Sequence, residues 1–153
     1  NILFLCVGNS ARSQIAEAIW KNLYSHNILA YSAGSNPAIE INPKAIQSLE
    51  RINITHSGEP KKIDFFKNYT FDYVITMGCG DVCPYVPNIK NIDWNIPDPK
   101  FLEEEQFDEI RDMIKSKIIS ELLVWLYSYS FSLEVLLGVI LKLQIKELPE
   151  TII

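Results

Sequence analysis

The beginning of the chain contains an abrupt change in hydrophobic period. Residues 2–7, ILFLCV, are apolar throughout and end at Gly8, which is typical of a short strand buried on both faces. From Arg12 the pattern changes to that of an amphipathic helix ending near His26 and Asn27, with apolar positions at Ile15, Ala16, Ile19, Trp20 and Leu23. A buried strand followed at once by such a helix is the first half of a βαβ unit and favours an α/β fold.

The rest of the chain continues the alternation of strands and helices. We predict further strands at residues 28–34 and 71–78, a helix at residues 42–52 that opens with an Asn-Pro pair, and a long helix at residues 103–126 with an acidic first turn. The expected architecture is a three-layer αβα fold around a central parallel sheet of about four strands. The carboxyl end of the first strand is then the expected place for a ligand site.

Length, charge and cysteine content narrow the classes of function. The 153 residues, of which 48% are hydrophobic, are enough for one domain with a single core. The 14 basic and 19 acidic side chains give a net charge of -5, so we expect no nucleic-acid partner and a local device for any bound anion. Three cysteines without a signal-peptide pattern argue against a secreted disulfide framework, and we expect a cytoplasmic protein.

The segment CVGNSARS, residues 6–13, places a thiol at the strand end and an arginine at the helix start. Backbone N–H groups of such a loop can surround a tetrahedral oxyanion, and they also stabilise a thiolate. Cys6 is therefore expected to be nucleophilic at neutral pH, with Ser13 donating to its sulfur and Arg12 binding two oxygens of the anion. Gly8 and Asn9 suit the positive φ angles of a tight loop. The simpler alternative is a buried strand cysteine beside a surface arginine.

The residues around this loop resemble those of a known family. CVGNSARSQIAEAIW, residues 6–20, resembles the CxGNSxRSQMAE opening of the thioredoxin-coupled arsenate reductases, which share their fold and anion loop with the low-molecular-weight protein tyrosine phosphatases. The resemblance continues through YSAGSNP (31–37), VITMGCGDVCPYVP (74–87) and DWNIPDPK (93–100). It covers roughly residues 1–126, which we expect to form the domain. Gln14, after the loop, favours the reductase branch.

The resemblance implies a reaction and the residues that perform it. Cys6 attacks arsenate, and Asp98 is the general acid that protonates the departing oxygen. Cys79 resembles the cysteine that attacks Cys6 to release arsenite, and Cys83 resembles the one that takes over the disulfide. Three residues separate these two cysteines, and on a helical turn this spacing permits a bond between them. The oxygens of the anion are held by Val7, Gly8, Asn9, Ser10, Ala11 and Arg12.

The resemblance leaves the reductant and the branch open. It implies no tightly bound cofactor and a thiol donor, which is thioredoxin, a glutaredoxin-like protein or a low-molecular-weight thiol. One alternative function is a protein tyrosine phosphatase that uses Cys6, Arg12 and Asp98. Another is a non-catalytic anion-binding or membrane-tethered sensor whose working part is the C-terminal tail.

The sequence also suggests two metal sites. A zinc site made from His56 and the two later cysteines lacks the second pair of ligands that completes a tetrahedral set, and His56 is expected at the surface. The family's monovalent-cation site matches Asn9, Glu17 and Ser32. Its acidic member would fall near Lys61, and the lysine could replace potassium there.

The tail is the least determined part of the sequence. Residues 122–141 contain a single charge, Glu134, and are long enough to span a membrane. Glu134 and the alternation of serine and tyrosine favour instead an appendage packed on the domain or on a partner subunit. We therefore expect residues 127–153 to form an appendage of unassigned role.

Overall fold

The computed structural model describes residues 1–24, 28–87 and 89–122. Its strands are β1 (Ile2–Cys6), β2 (Ala30–Gly34), β3 (Tyr73–Thr76) and β4 (Lys90–Asp93). They form one 4-stranded sheet in the order β2-β1-β3-β4, and every pair is parallel. The predicted parallel sheet is confirmed, and its order places the carboxyl end of β1 between those of β2 and β3.

Strand β1 forms the centre of the sheet and is buried on both faces. Ile2, Phe4 and Cys6 belong to the core on one face, whereas Leu3 and Leu5 belong to the core on the other. Successive strand side chains point to opposite faces, so a strand between two cores needs an uninterrupted apolar run. Burial of each of these large side chains stabilises the fold by about 1.5–3 kcal/mol.

Three helices cover one face of the sheet. Helices α1 (Arg12–Leu23), α2 (Pro43–Glu50) and α3 (Glu104–Lys117) pack against one another there, with the fully buried Trp20 among them. Asn42 caps α2 by accepting from the Lys44 N–H at 2.9 Å, as its sequence predicts. The bulk of the apolar core lies under these helices.

Each helix ends before its predicted end, and α2 ends at Glu50 in place of residue 52. Helix α1 ends at Leu23, before the predicted end at His26 and Asn27, which lie outside the described residues. Helix α3 begins after Glu103, whose side chain forms a reciprocal capping box with Gln106. It continues as a π-helical turn over Ile118–Leu122, the last described residues of the predicted long helix.

The opposite face of the sheet carries a thinner layer. Two 3-10 turns, Ile63–Phe66 and Gly80–Val82, lie on this side, and no regular α-helix of the described ranges joins them. Four aromatic rings fill the space by edge contacts, namely Tyr31, Phe66, Tyr69 and Phe71. The three-layer arrangement is thus built with helices on one side and with turns and rings on the other.

Two features of the chain lie beyond the predicted pattern. The sequence predicts about four strands but does not locate β4. The KNID segment has a single apolar residue, Ile92, because it lies at the edge of the sheet. Residues 123–153 lie outside the described part, so the tail predictions stay predictions. Among the described residues, no helix has the length and apolar character needed to cross a bilayer.

Candidate active site

The oxyanion loop, residues 6–12, connects β1 to α1 and has its carbonyl groups turned outward. The segment after β2 donates to four of them: Ser35 N to Cys6 O (3.3 Å), Asn36 N to Val7 O (2.9 Å), Ala38 N to Gly8 O (2.8 Å) and Asn42 N to Ser10 O (2.8 Å). A planar trans peptide points its N–H opposite to its C=O. The N–H groups that follow these carbonyls therefore face the inside of the loop, beside the N-terminus of α1.

The tight curve of this loop depends on one residue with positive φ and on one neighbouring glycine. Asn9 has a φ of 45°, as predicted. Gly8 does not have a positive φ, so the prediction for this residue is wrong. The glycine that the loop needs is Gly34, at the end of β2. A Cβ there would overlap the Val7 carbonyl oxygen and would lie 3.0 Å from the Asn9 nitrogen.

Cys6 is the free cysteine of the chain and lies at the base of the loop. Its side chain is buried, and its sulfur lies 2.9 Å from the Ser13 hydroxyl and 3.1 Å from the Asn9 backbone N–H. Both groups can donate a hydrogen bond to the sulfur. The predicted contact between Ser13 and Cys6 is therefore present.

Arg12 is held in place by two backbone carbonyls. Its Nη1 donates to Met77 O at 2.7 Å and to Ile96 O at 2.8 Å, from the loops that follow β3 and β4. Its Nη2 lies 3.3 Å from the Asp98 carboxylate, which is 59% exposed. The sheet thus fixes one side of the guanidinium and brings Asp98 to the same place. Sequence reasoning missed both carbonyl anchors, because neither Met77 nor Ile96 carries a functional side chain.

A pocket of about 510 Å³ opens over Cys6. Arg12 and Asp98 line it together with Lys100 and the segment 36–43. Sequence reasoning gave this segment no role in the pocket. It forms the wall, and the N–H groups of Asn36, Ala38 and Asn42 orient three of the loop carbonyls. The pocket holds a thiol, a guanidinium and a carboxylate at one mouth, which is a set suited to displacement at a tetrahedral anion.

The disulfide segment, residues 78–87, follows β3 on the other side of the sheet from Cys6. Cys79 and Cys83 are bonded to each other with a Cα–Cα distance of 5.6 Å, so the bond that the spacing permits is formed. Glycines with positive φ flank Cys79, at 77° for Gly78 and 53° for Gly80. The pair is buried, at 8% and 9% exposure.

Asp93, at the end of β4, holds the start of the disulfide segment. Its carboxylate accepts from the Thr76 hydroxyl at 2.6 Å and from the Gly78 N–H at 2.8 Å. Burial by itself raises the pKa of Asp93, but these hydrogen bonds and the nearby Arg12 outweigh it and leave the pKa below its usual value. The carboxylate stays ionised and anchors Gly78.

His56 does not lie free at the surface, which corrects one expectation. It is half-buried, and its Nε2 lies 2.7 Å from Gln14 Oε1. Burial lowers its pKa below the usual value. The zinc alternative also loses its donors, because the two cysteine sulfurs are bonded to each other, and the described residues contain no other cluster able to hold a metal.

The potassium set does not fit the cation in this chain. Glu17 has both carboxylate oxygens engaged, one by the Lys21 ammonium and the other by the Ser32 hydroxyl at 2.5 Å. The Asn9 side-chain oxygen accepts from the Lys61 N–H at 2.7 Å. The ammonium that contacts Glu17 belongs to Lys21, whereas the Lys61 ammonium contacts the Glu59 carbonyl.

The fold and this site define an α/β protein with a cysteine-centred oxyanion loop at the carboxyl end of its first strand. The sequence pattern of the low molecular weight phosphotyrosine protein phosphatase family matches residues 1–126. The chain belongs to this family.

Relatives within the family include arsenate reductases. One from Staphylococcus aureus is 36% identical over 124 residues, which are 76% of this chain and 92% of that protein. The solved thioredoxin-dependent arsenate reductase of Corynebacterium glutamicum matches with a TM-score of 0.64 and 36% identity, over 80% of this chain and 62% of that one. An arsenate reductase solved in a phosphate-binding state matches with a TM-score of 0.68 and 30% identity, over 77% and 92% of the two chains.

Proposed function

We propose that the protein reduces arsenate to arsenite through a relay of three cysteines, as its arsenate reductase relatives suggest. The observation that carries the proposal is the state of the cysteines: Cys6 is free in the oxyanion loop, while Cys79 and Cys83 form a disulfide. A phosphatase needs only the first of these thiols. A reductase needs two electrons per arsenate, and two thiols that close a disulfide supply them.

The first step is a displacement at arsenic. The Cys6 thiolate forms a bond to arsenic, and an arsenate oxygen departs as water after Asp98 donates a proton. Arg12 and the inward N–H groups of the oxyanion loop bind the remaining oxygens and the charge that develops on them. The 3.3 Å contact between Arg12 and Asp98 supports these roles, because both groups reach the same mouth of the pocket.

The electrons move in the second and third steps. The Cys79 thiolate attacks the Cys6 sulfur, the sulfur–arsenic electron pair stays on arsenic, and arsenite leaves with arsenic reduced by two electrons. Cys83 then attacks Cys79, which frees the Cys6 thiolate and gives the Cys79–Cys83 disulfide. Cys79 must cross from one core to the other to reach Cys6, and the two glycines beside it permit the necessary backbone rotation.

A dithiol reductant completes the cycle by reducing the Cys79–Cys83 disulfide. We propose a thioredoxin-like protein in the cytoplasm as this reductant, in line with the thioredoxin-dependent relative. The exposed apolar side chains of Val82 and Tyr85 beside the disulfide suit contact with a protein surface better than with a small polar thiol.

The phosphatase reaction is the second candidate, since it uses the same first step. The described lining of the pocket contains no aromatic ring that could stack on a tyrosyl substrate. We therefore expect aryl phosphate hydrolysis to be weak beside arsenate reduction.

The test compares arsenate reduction and aryl phosphate hydrolysis in the same variants. With thioredoxin, thioredoxin reductase and NADPH, we expect Cys79→Ser and Cys83→Ser to lower arsenate turnover by more than about 100-fold and Cys6→Ser to abolish it. Hydrolysis of p-nitrophenyl phosphate should depend on Cys6 and not on Cys79. Full arsenate turnover by Cys79→Ser would overturn the relay, and turnover of either substrate by Cys6→Ser would overturn the enzyme proposal.

A further inference from the structure

We propose that Asp93 is a positioning residue for Arg12, the guanidinium that binds the oxyanion. Its carboxylate holds the backbone at the ends of β3 and β4, and this backbone presents two carbonyl groups to the guanidinium. The proposal rests on the oxyanion-binding role of Arg12 in the proposed function, but its test needs neither arsenate nor a reductant.

The first connection between the two side chains runs through a single peptide unit. The peptide between Met77 and Gly78 directs its N–H to Asp93 Oδ1 at 2.8 Å and its C=O to Arg12 Nη1 at 2.7 Å. The N–H and the C=O of a planar trans peptide point in opposite directions and rotate together. A hydrogen bond that fixes this N–H therefore also fixes the carbonyl that receives Arg12.

Glycine at position 78 makes this peptide dependent on its hydrogen bonds. Gly78 has a φ of 77°, and glycine resists backbone rotation less than any other residue. A larger residue does not fit there, because a Cβ would lie 3.0 Å from the Asn95 Cα. The bond to Asp93 is thus the contact that holds the peptide on the side away from Arg12.

The second connection runs through the turn after β4. The Asn95 N–H faces the Asp93 carboxylate and is one of the groups that lower its pKa. Asn95 has a positive φ of 49°, a conformation that needs support from its surroundings in a residue with a side chain. The turn brings the Ile96 carbonyl to 2.8 Å from the same Arg12 Nη1. One carboxylate therefore holds both turns whose carbonyls receive the guanidinium.

Thr76 holds the Asp93 carboxylate in the orientation that this role needs. Its hydroxyl donates at 2.6 Å to the same Oδ1 that accepts from the Gly78 N–H. Burial by itself raises the pKa of Asp93, but the hydrogen bonds and the charge of Arg12 outweigh it. The carboxylate is therefore ionised at neutral pH, and an ionised oxygen is the stronger acceptor for a backbone N–H.

Arg12 benefits from this support because it is a long side chain that must be ordered before it can bind. It is 6% exposed, and its Nη1 is engaged by the two carbonyls, while Nη2 reaches Asp98 at the mouth of the pocket. A guanidinium that is already ordered when the oxyanion arrives loses less conformational entropy on binding. We therefore expect the affinity for a tetrahedral oxyanion to depend on Asp93.

The test measures the affinity for inorganic phosphate through the protection of Cys6 from iodoacetamide at pH 7. The Cys79–Cys83 disulfide is kept oxidised, so that Cys6 is the free thiol that the reagent modifies. The measured quantity is the phosphate concentration that gives half protection. Absence of protection in the wild type would overturn the oxyanion site of the proposed function and this proposal with it.

Three variants give the expected results. Asp93→Ala removes the acceptor, and the half-protecting concentration should rise by about threefold to tenfold, which corresponds to one net hydrogen bond. Asp93→Asn retains an oxygen for the Gly78 N–H and should stay within about twofold of the wild type. Asp64→Ala removes a surface carboxylate that is paired with Lys62, and this control should bind phosphate like the wild type.

The direction of the effect separates positioning from charge. Asp93 is negative, so a purely electrostatic role would make both of its variants bind phosphate more tightly. Unchanged or tighter binding in the folded Asp93→Ala protein would overturn this proposal alone, and so would equal weakening in Asp93→Ala and Asp93→Asn.

Thr76→Val supplies the test if Asp93→Ala fails to fold. It keeps the shape of the side chain but removes the hydroxyl that orients the carboxylate, so the half-protecting concentration should rise by about twofold. Unchanged phosphate affinity in the folded Thr76→Val protein would then overturn the proposal.

Discussion

The oxyanion loop and the disulfide segment lie beyond adjacent strands but are built in opposite ways. The oxyanion loop has four carbonyls held by the neighbouring segment and its side chains linked in a buried network around Cys6. The disulfide segment contains two positive-φ glycines, Gly78 and Gly80, and exposes Val82 and Tyr85. The first arrangement keeps a ligand geometry fixed, whereas the second suits a sulfur that must change partners. The backbone of each segment thus suits the role that we propose for its thiol.

The largest expected effect comes from adding one methyl group to each region. Gly34→Ala places a Cβ against the Val7 carbonyl, so the oxyanion loop must shift, and we expect a loss of about 3 kcal/mol in unfolding free energy. In Gly80→Ala the added Cβ would lie in open space, so only the strain of the positive φ remains. We expect this variant to lose about 1 kcal/mol of unfolding free energy. Urea unfolding of both variants measures the difference. Equal losses would contradict the contrast between a packed loop and an open segment.

The second prediction concerns the pH dependence of stability. His56 contacts Gln14 beside the oxyanion loop, Asp93 holds the start of the disulfide segment, and the two groups titrate in different pH ranges. The lowered pKa of His56 means that burial favours its neutral form, so its contribution to stability is complete above about pH 6.5 and is lost as the pH falls through the folded value. The lowered pKa of Asp93 means that its contribution is present above about pH 4 and is lost as the pH falls below that.

Unfolding free energies from pH 8 to pH 2.5 check both windows. The difference between wild type and His56→Gln should change near pH 6 by less than about 1 kcal/mol. The difference between wild type and Asp93→Asn should change below pH 4 by about 0.5 kcal/mol, since the carboxylate is largely solvent-screened. A change for Asp93→Asn near pH 6 would show that the disulfide segment is held by something other than this carboxylate.

The smallest expected effect concerns potassium. Because the Lys21 ammonium already contacts Glu17, replacing NaCl by KCl at equal ionic strength should change arsenate turnover by less than about twofold. Lys21→Met leaves the Glu17 carboxylate buried without a cation, and its turnover should then respond to potassium. Lys62→Met, which removes a lysine paired with Asp64 at the surface, is the control and should stay insensitive. A wild-type response as strong as that of Lys21→Met would show that the contact between Lys21 and Glu17 does not exclude potassium.

The parts of the site that could be predicted are formed by residues that lie close together in the sequence. Cys6, Ser13 and Arg12 come together because a strand end, a short loop and a helix start fix their separation within eight residues. The spacing of Cys79 and Cys83 likewise permitted their bond. The role of Asp98 stays a prediction, although its position at 3.3 Å from Arg12 agrees with it.

The parts that could not be predicted depend on contacts between distant segments. Nothing near His56 in the sequence indicates that it faces Gln14, a residue 42 positions earlier. Lys21 could be expected near Glu17 from helical spacing, but only the tertiary structure shows that the Ser32 hydroxyl on β2 donates to the same carboxylate.

The sequence by itself determined the parallel sheet, the loop between β1 and α1 and which thiol lies in it, because hydrophobic period and loop composition act over a few residues. Tertiary structure decided how that thiol is supported. The sheet order brought the carbonyls of Met77 and Ile96 to Arg12, and chain packing brought His56 to Gln14. Such contacts form only after distant segments are buried together, where an unpaired polar group costs about 1–3 kcal/mol and each donor must find its acceptor.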